Sequence, residues 1–291
     1  MKRHPVLVFV LLTLIFSWVW LIPLALASHE TISFPVSRAR AALYSAYGPG
    51  LAALIVTLLI GGVDGLRNLL GRFVRWRAGL QWYVIAVLLP VLPLALHMLF
   101  GGSGPHFASE TEPQAGATAP TLTPLNAWAQ IMPLIGIEIW RSKVFIGELA
   151  WRGFLLPQMQ RGMSALLASI LVGAVWCLSI LPLVFERGGP YAGVQWFFMA
   201  LGIVASSVTY TWIFNNSNGS LLTAVLFNLS NAVTGVFILA AGVQNLLFLL
   251  SNLGVAALVV VLAGPRYLTR DPDGAARAIA DDPNCPAQQP I

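Results

Sequence analysis

The sequence contains little charge: only 9% of its 291 residues are Asp, Glu, Lys or Arg, whereas 57% are hydrophobic. A soluble domain carries about 25% charged residues, so this composition excludes an ordinary soluble protein. Alternating segments of about ten residues, which mark membrane β-strands, are missing too. Several apolar runs instead reach the roughly 20 residues that a helix needs to cross a bilayer. The sequence therefore predicts an all-α, polytopic membrane helix bundle.

Cysteine and histidine are also scarce, with two and four copies. Cys177 falls within a predicted span and Cys285 in the C-terminal tail, so the pair does not predict a disulfide. None of the histidines lies in the polar stretches described below. Because a first-row metal prefers imidazole or thiolate ligands, the sequence predicts no metal site and no cofactor.

The apolar runs define the predicted topology. Eight candidate spans lie at about 5–27, 43–62, 81–100, 126–146, 164–185, 191–214, 220–241 and 243–264. With the N-terminus inside, every basic residue except Arg38, Arg40 and Arg187 falls in a cytoplasmic segment, as the positive-inside rule requires. We therefore expect a cell-membrane protein with both termini cytoplasmic, membrane lipid as a partner and no nucleic-acid partner.

The domain organisation follows from the same pattern. Residues 1–265 are predicted to form one transmembrane helical domain. Residues 266–291 are rich in Pro, Asp, Ala and Arg, a composition that buries too little apolar surface to fold. They predict a disordered cytoplasmic tail.

Ionisable side chains at membrane depth are costly and mark candidate functional positions. Glu138, Glu148 and Arg152 are such residues. Glu148 and Arg152 are spaced i,i+4, which places them on one face of a helix and favours a salt bridge. Asn228 and Asn231 lie inside another apolar run, where amides commonly hydrogen-bond neighbouring helices. A purely structural role for all five residues stays open at this point.

Three stretches resemble the core of a known family. They are ELAWRGFLLP at 148–157, VWCLSILPLVF at 175–185 and FNNSNGSLLTAVLFNLSNAVTG at 214–235. Their order and spacing resemble the CPBP intramembrane proteases, also called ABI, which include endopeptidases that trim prenylated CAAX proteins and proteins linked to bacteriocin immunity. The likeness covers about residues 42–240. It implies a CPBP-like helical core.

The sequence departs from the family pattern at the positions that carry its chemistry. The family has paired glutamates followed by arginine, then a histidine before Leu-Pro, then His-x-x-x-Asn. Here Glu148 and Arg152 remain as motif remnants, with Asn228 in a histidine position and Asn231 one place before the expected asparagine. The degenerate positions are Gly147, Ile180 and Ala232. The resemblance implies that the water-activating acid and both histidines are missing.

Loss of general acid–base assistance alone lowers a rate by about 100- to 10,000-fold. Glu138 cannot replace the missing acid on an unbroken helix, because ten residues separate it from Glu148 by about 15 Å. A catalytically inactive homologue that binds a membrane lipid, peptide or protein is therefore the first hypothesis. The alternatives are an active CPBP endopeptidase with altered catalytic residues, and a transporter or proton relay that uses Glu138, Glu148 and Arg152.

Two structural expectations follow. Glu148 and Arg152 should lie within salt-bridge distance inside the bundle. Gly147, Ile180 and Asn228 should converge on one small cavity.

Overall fold

The computed structural model describes residues 4–100, 143–189, 194–240 and 245–269, together with positions 102, 132, 133, 136 and 271. Its α-helices are α1 (Pro5–Ser28), α2 (Arg38–Gly71), α3 (Leu80–Leu88), α4 (Leu92–Leu99), α5 (Lys143–Glu148), α6 (Leu156–Gln160), α7 (Ala165–Ile180), α8 (Val194–Asn216), α9 (Leu221–Ala240) and α10 (Asn245–Ala263). Within these ranges, seven helical segments are long and apolar enough to cross a membrane. The predicted polytopic helix bundle is confirmed.

The described spans follow the predicted ones closely, and the differences have local causes. The fourth predicted span, at 126–146, falls largely outside the described residues, as does Glu138. Helix α2 continues past the predicted end of its span but is bent at Gly62, whose φ of 62° and ψ of −153° are not helical. Helices α3 and α4 form one span, which a 3₁₀ turn at Leu89–Val91 with Pro90 interrupts, because proline removes a helical hydrogen bond.

The segment that carries Arg152 is not an ordinary α-helix. Residues Leu149–Leu155 form a π-helix between α5 and α6, and all seven are buried. The sequence predicted an ordinary helix here, whereas a π-helix closes its hydrogen bonds at i→i+5 and is wider. Short π-helical segments occur frequently at functional sites. The π-helix therefore supports the choice of Glu148 and Arg152 as candidate functional residues.

Helix α1 and helix α2 hold the π-helix inside the bundle. The ring of Phe9 on α1 lies 6.1 Å from that of Trp151 and 5.1 Å from that of Phe154. From the end of α2, buried Arg72 donates a hydrogen bond to the Gly153 carbonyl at 2.9 Å. These contacts fix the orientation of the π-helix at the centre of the main hydrophobic cluster.

The described residues after α10 are bonded to two other helices. The backbone carbonyls of Arg266 and Pro265 accept hydrogen bonds from the first amides of α7 at 2.8 and 3.1 Å. Asn215 and Asn216, at the end of α8, donate to the carbonyls of Tyr267 and Leu268 at 2.7 and 2.9 Å. The side chain of Leu268 is fully buried. Residues 265 and 266 thus cap the first turn of α7, and residues 267 and 268 are bound by side chains at the end of α8. The predicted tail at 266–291 stays a prediction, and most of it lies outside the described residues.

We expect Asn216→Ala to release this capping segment. The substitution removes the amide that binds the Leu268 carbonyl and the oxygen that accepts from Thr269 at 2.7 Å, and such a loss costs about 1–3 kcal/mol. Trypsin should then cleave faster after Arg266, whose side chain is exposed. Asn252→Ala is the matched control, because Asn252 hydrogen-bonds within α10 and to Ser206. Equal cleavage rates in the two variants would contradict the capping role.

Candidate functional site

Glu148 and Arg152 form a buried ion pair. Glu148 is the last residue of α5, and Arg152 lies one turn later in the π-helix. The Arg152 Nη1 atom is 3.3 Å from Glu148 Oε2 and 3.5 Å from Oε1, and both side chains are inaccessible to solvent. The predicted salt bridge inside the bundle is therefore present. Its two charges cancel, which is the arrangement that a low-dielectric interior tolerates.

Helix α9 supplies the third member of this polar cluster. Asn228 Nδ2 donates a hydrogen bond to Glu148 Oε1 at 2.6 Å, across 80 positions in the sequence. Asn231, one turn further, donates to the Phe227 carbonyl at 3.0 Å. Asn228 thus contacts Glu148 directly, whereas Asn231 hydrogen-bonds within its own helix.

Aromatic rings enclose the arginine. The Arg152 guanidinium carbon lies 3.8 Å from the ring centroid of Tyr210 and 5.7 Å from that of Trp176. Arg152 Nε and Nη2 have no hydrogen-bond acceptor among the described residues, and the ring faces take the place of acceptors. A desolvated cation–π contact of this kind contributes about 2 kcal/mol.

Sequence reasoning missed Tyr210 and Trp176 as members of the site. An aromatic residue in an apolar span carries no local signal of a cation beside it. Trp176 lies four residues before Ile180 in the second motif. This position was the one indication in the sequence that Trp176 belongs to the site. The fold alone brings α7 and α8 to the two sides of Arg152.

Gly147 lies beside the ion pair, and the described residues leave room for a side chain there. A Cβ atom built on Gly147 would have Trp151 Nε1 as its nearest described neighbour, at 4.0 Å. By contrast, a Cβ on Gly153 would meet Leu69 at 2.9 Å, and one on Gly173 would meet the Val204 backbone at 2.8 Å. Close helix packing therefore explains the glycines at 153 and 173 but not the glycine at 147.

Ile180 ends α7, one helical turn beyond Trp176. Its side chain packs against a cluster formed by Leu21, Leu24, Ala41 and Leu183. This cluster joins α7 to the first two helices, whereas Asn228 is bonded to Glu148. Convergence of Gly147, Ile180 and Asn228 on a single cavity stays a prediction.

Metal ligands do not gather at this site in the part of the chain that is described. No group of three or more His, Cys, Asp or Glu side chains that could hold a metal ion occurs among the described residues. The polar atoms that the site does present are one carboxylate, one guanidinium, two side-chain amides and a phenol.

Comparison with known proteins identifies the central part of the chain. Residues 128–234 match the family model described as type II CAAX prenyl endopeptidase Rce1-like. The matched range contains every motif residue discussed above, from Gly147 to Ala232. No curated protein sequence matches the chain significantly.

Proposed function

We propose that this multi-span membrane protein, whose residues 128–234 match the Rce1-like family model, is a catalytically inactive homologue of the CAAX-type endopeptidases. It acts as a binding or regulatory module in the cell membrane, with both termini cytoplasmic. Membrane lipid surrounds it, and a membrane-associated peptide or protein is its ligand. A role in bacteriocin immunity would be one such regulatory function.

One observation carries this proposal: the remaining motif glutamate is completely enclosed. A general base must lie within about 2.6–3.2 Å of the proton that it abstracts. The Glu148 side chain has no surface accessible to water, and its carboxylate contacts Arg152 and Asn228 instead. It therefore stabilises the bundle rather than activating a water molecule.

The other positions of the family pattern supply no substitute base. Gly147 has no side chain, and Ile180 has no lone pair. Asn228 donates its amide to Glu148, and an amide cannot exchange a proton near neutral pH as imidazole does. The family chemistry therefore lacks a base at each of the three positions.

An active endopeptidase with altered chemistry is the second candidate function. The family match favours it, and so does the π-helix at the motif, because π-helical segments are frequent at functional sites. This function would need a carboxylate that is accessible to water, and the Glu148 carboxylate is inaccessible to solvent. The transporter hypothesis depends on Glu138, which lies outside the described residues.

We expect the purified full-length chain in detergent to bind a fluorescent prenylated CAAX peptide without cleaving it. Binding is measured by fluorescence anisotropy, and cleavage by mass spectrometry of the same sample. Membrane-peptide reporters serve as a second substrate class. Cleavage by the wild type that disappears in a folded Glu148→Gln variant would contradict the proposal. Solute or proton flux in proteoliposomes that Glu138→Gln abolishes would favour the transporter instead.

A further inference from the structure

The space beside Gly147 is bordered by a hydrogen-bond donor that has no acceptor among the described residues. Gly147 is only partly buried, and its φ is not in the left-handed region, so its conformation does not require glycine. The nearest described atom to a Cβ at this position is the indole nitrogen of Trp151. Glycine is used in proteins where a ligand must approach the backbone closely.

The indole of Trp151 is held rigidly. Its ring is stacked on Trp176 at 6.2 Å with an interplanar angle of 22°, and it meets the edge of Phe9 at 6.1 Å. The side chain is only 4% exposed. These contacts leave the ring one orientation, in which Nε1 borders the open space at Gly147.

The indole N–H has no hydrogen-bond acceptor among the described residues. Trp151 Nε1 is not one of the fully buried polar atoms that lack a partner, so the nitrogen reaches accessible space although the side chain is only 4% exposed. A tryptophan with a buried ring usually finds an acceptor for this group. An oxygen atom from a bound molecule would provide one.

The charges at the site indicate whether the bound oxygen atom belongs to a neutral or a charged group. The adjacent charges of Glu148 and Arg152 neutralise each other at 3.3 Å, and Arg152 is enclosed by Tyr210 and Trp176. No unpaired cation among the described residues at this site would balance an incoming carboxylate, and an isolated charge is costly at membrane depth. A neutral carbonyl oxygen avoids this cost.

We propose that the space at Gly147 is a subsite for a peptide carbonyl group, which accepts a hydrogen bond from Trp151 Nε1–H. This subsite rests on the proposed function, since it names how the binding module would recognise the backbone of a membrane-associated peptide. Gly147 admits the peptide, and Trp151 positions its carbonyl. The absence of a side chain at 147 thus opens a binding surface.

The test uses the full-length chain, labelled with ¹⁵N at tryptophan, in detergent. The chain has ten tryptophans, and Trp151→Phe assigns the indole signal of Trp151. Dimethylacetamide is the probe, because it offers a carbonyl acceptor without a charge or an N–H donor. We expect it to shift the Trp151 indole N–H signal more than the same concentration of acetate does. Gly147→Val should abolish the shift by filling the space.

Gly254→Val is the matched control, because Gly254 is exposed on α10 and a Cβ there has no described neighbour within 4 Å. This control should keep the wild-type response. A Trp151 signal that ignores dimethylacetamide, or that responds equally in Gly147→Val, would overturn the subsite. So would a larger response to acetate.

The peptide-binding assay separates this inference from the proposed function. Loss of a single neutral hydrogen bond predicts an affinity about 2- to 12-fold weaker in Trp151→Phe, with Gly254→Val unchanged. Peptide binding that Trp151→Phe leaves unchanged would overturn the subsite and leave the binding module standing. Peptide cleavage by the wild type together with a Trp151 response would overturn the inactive-homologue proposal and leave the subsite standing.

Discussion

Replacing Arg152 with methionine is expected to lower the free energy of unfolding by about 3–5 kcal/mol, because removal of one partner leaves a buried charge uncompensated. The uncompensated group would be Glu148, which is inaccessible to solvent and keeps only the hydrogen bond from Asn228. The variant also loses the stacking of the guanidinium on Tyr210 at 3.8 Å. Chemical or thermal unfolding in detergent measures the change.

A double substitution provides the decisive comparison. Glu148→Gln combined with Arg152→Met removes both charges, and replacement of a whole buried pair is often close to neutral. We therefore expect the double variant to be more stable than Arg152→Met alone. Arg40→Met is the surface control, because Arg40 is exposed, and it should change stability by less than about 0.5 kcal/mol. An Arg152→Met effect as small as this control would refute the structural role of the pair.

Restoring the three missing residues is expected to raise the rate of prenylated-peptide cleavage by about 100- to 10,000-fold over the wild type, which is the usual contribution of general acid–base catalysis. The variant is Gly147→Glu, Ile180→His and Asn228→His. The space at Gly147 accommodates a side chain. The Asn228 amide now donates to Glu148 Oε1 at 2.6 Å, and an imidazole at position 228 can donate to the same oxygen. Cleavage is measured by mass spectrometry of the peptide products.

The same triple variant with Gln in place of Glu at position 147 is the matched control. It has the same shape and hydrogen-bonding reach but no base, so its rate should return to the wild-type level. Folding of both variants is checked by gel filtration and thermal unfolding, because Ile180→His places a polar ring against the cluster around Leu21 and Leu183. A folded revertant without cleavage would contradict the correspondence of these three positions with the family motifs.

The salt bridge illustrates what local sequence could predict. Glu148 and Arg152 are four residues apart, and that spacing places them on one side of any helix near the α or π geometry. Their pairing at 3.3 Å needed no knowledge of the rest of the chain. The membrane spans were predictable for a similar reason, because the hydrocarbon thickness of the bilayer sets the length of an apolar run.

The partners of that pair could not be predicted in the same way. Asn228 is 80 residues from Glu148 along the chain, and Tyr210 belongs to a third helix. Both residues stand in apolar runs that would be equally compatible with a lipid-facing position. The contacts of the capping segment at 265–269 could not be predicted either, because its carbonyl acceptors bind helix ends that lie far away in the sequence.

The sequence by itself determined the all-α membrane class, the seven described spans and the Glu148–Arg152 pair. Each of these depends on composition, or on neighbours within one helical turn. The tertiary structure decided that Asn228, Tyr210 and Trp176 enclose the pair, and that Gly147 borders an indole N–H with no acceptor among the described residues. Those features depend on how separate helices pack against each other. The hydrophobic pattern of one helix does not show which residues of another helix it will contact.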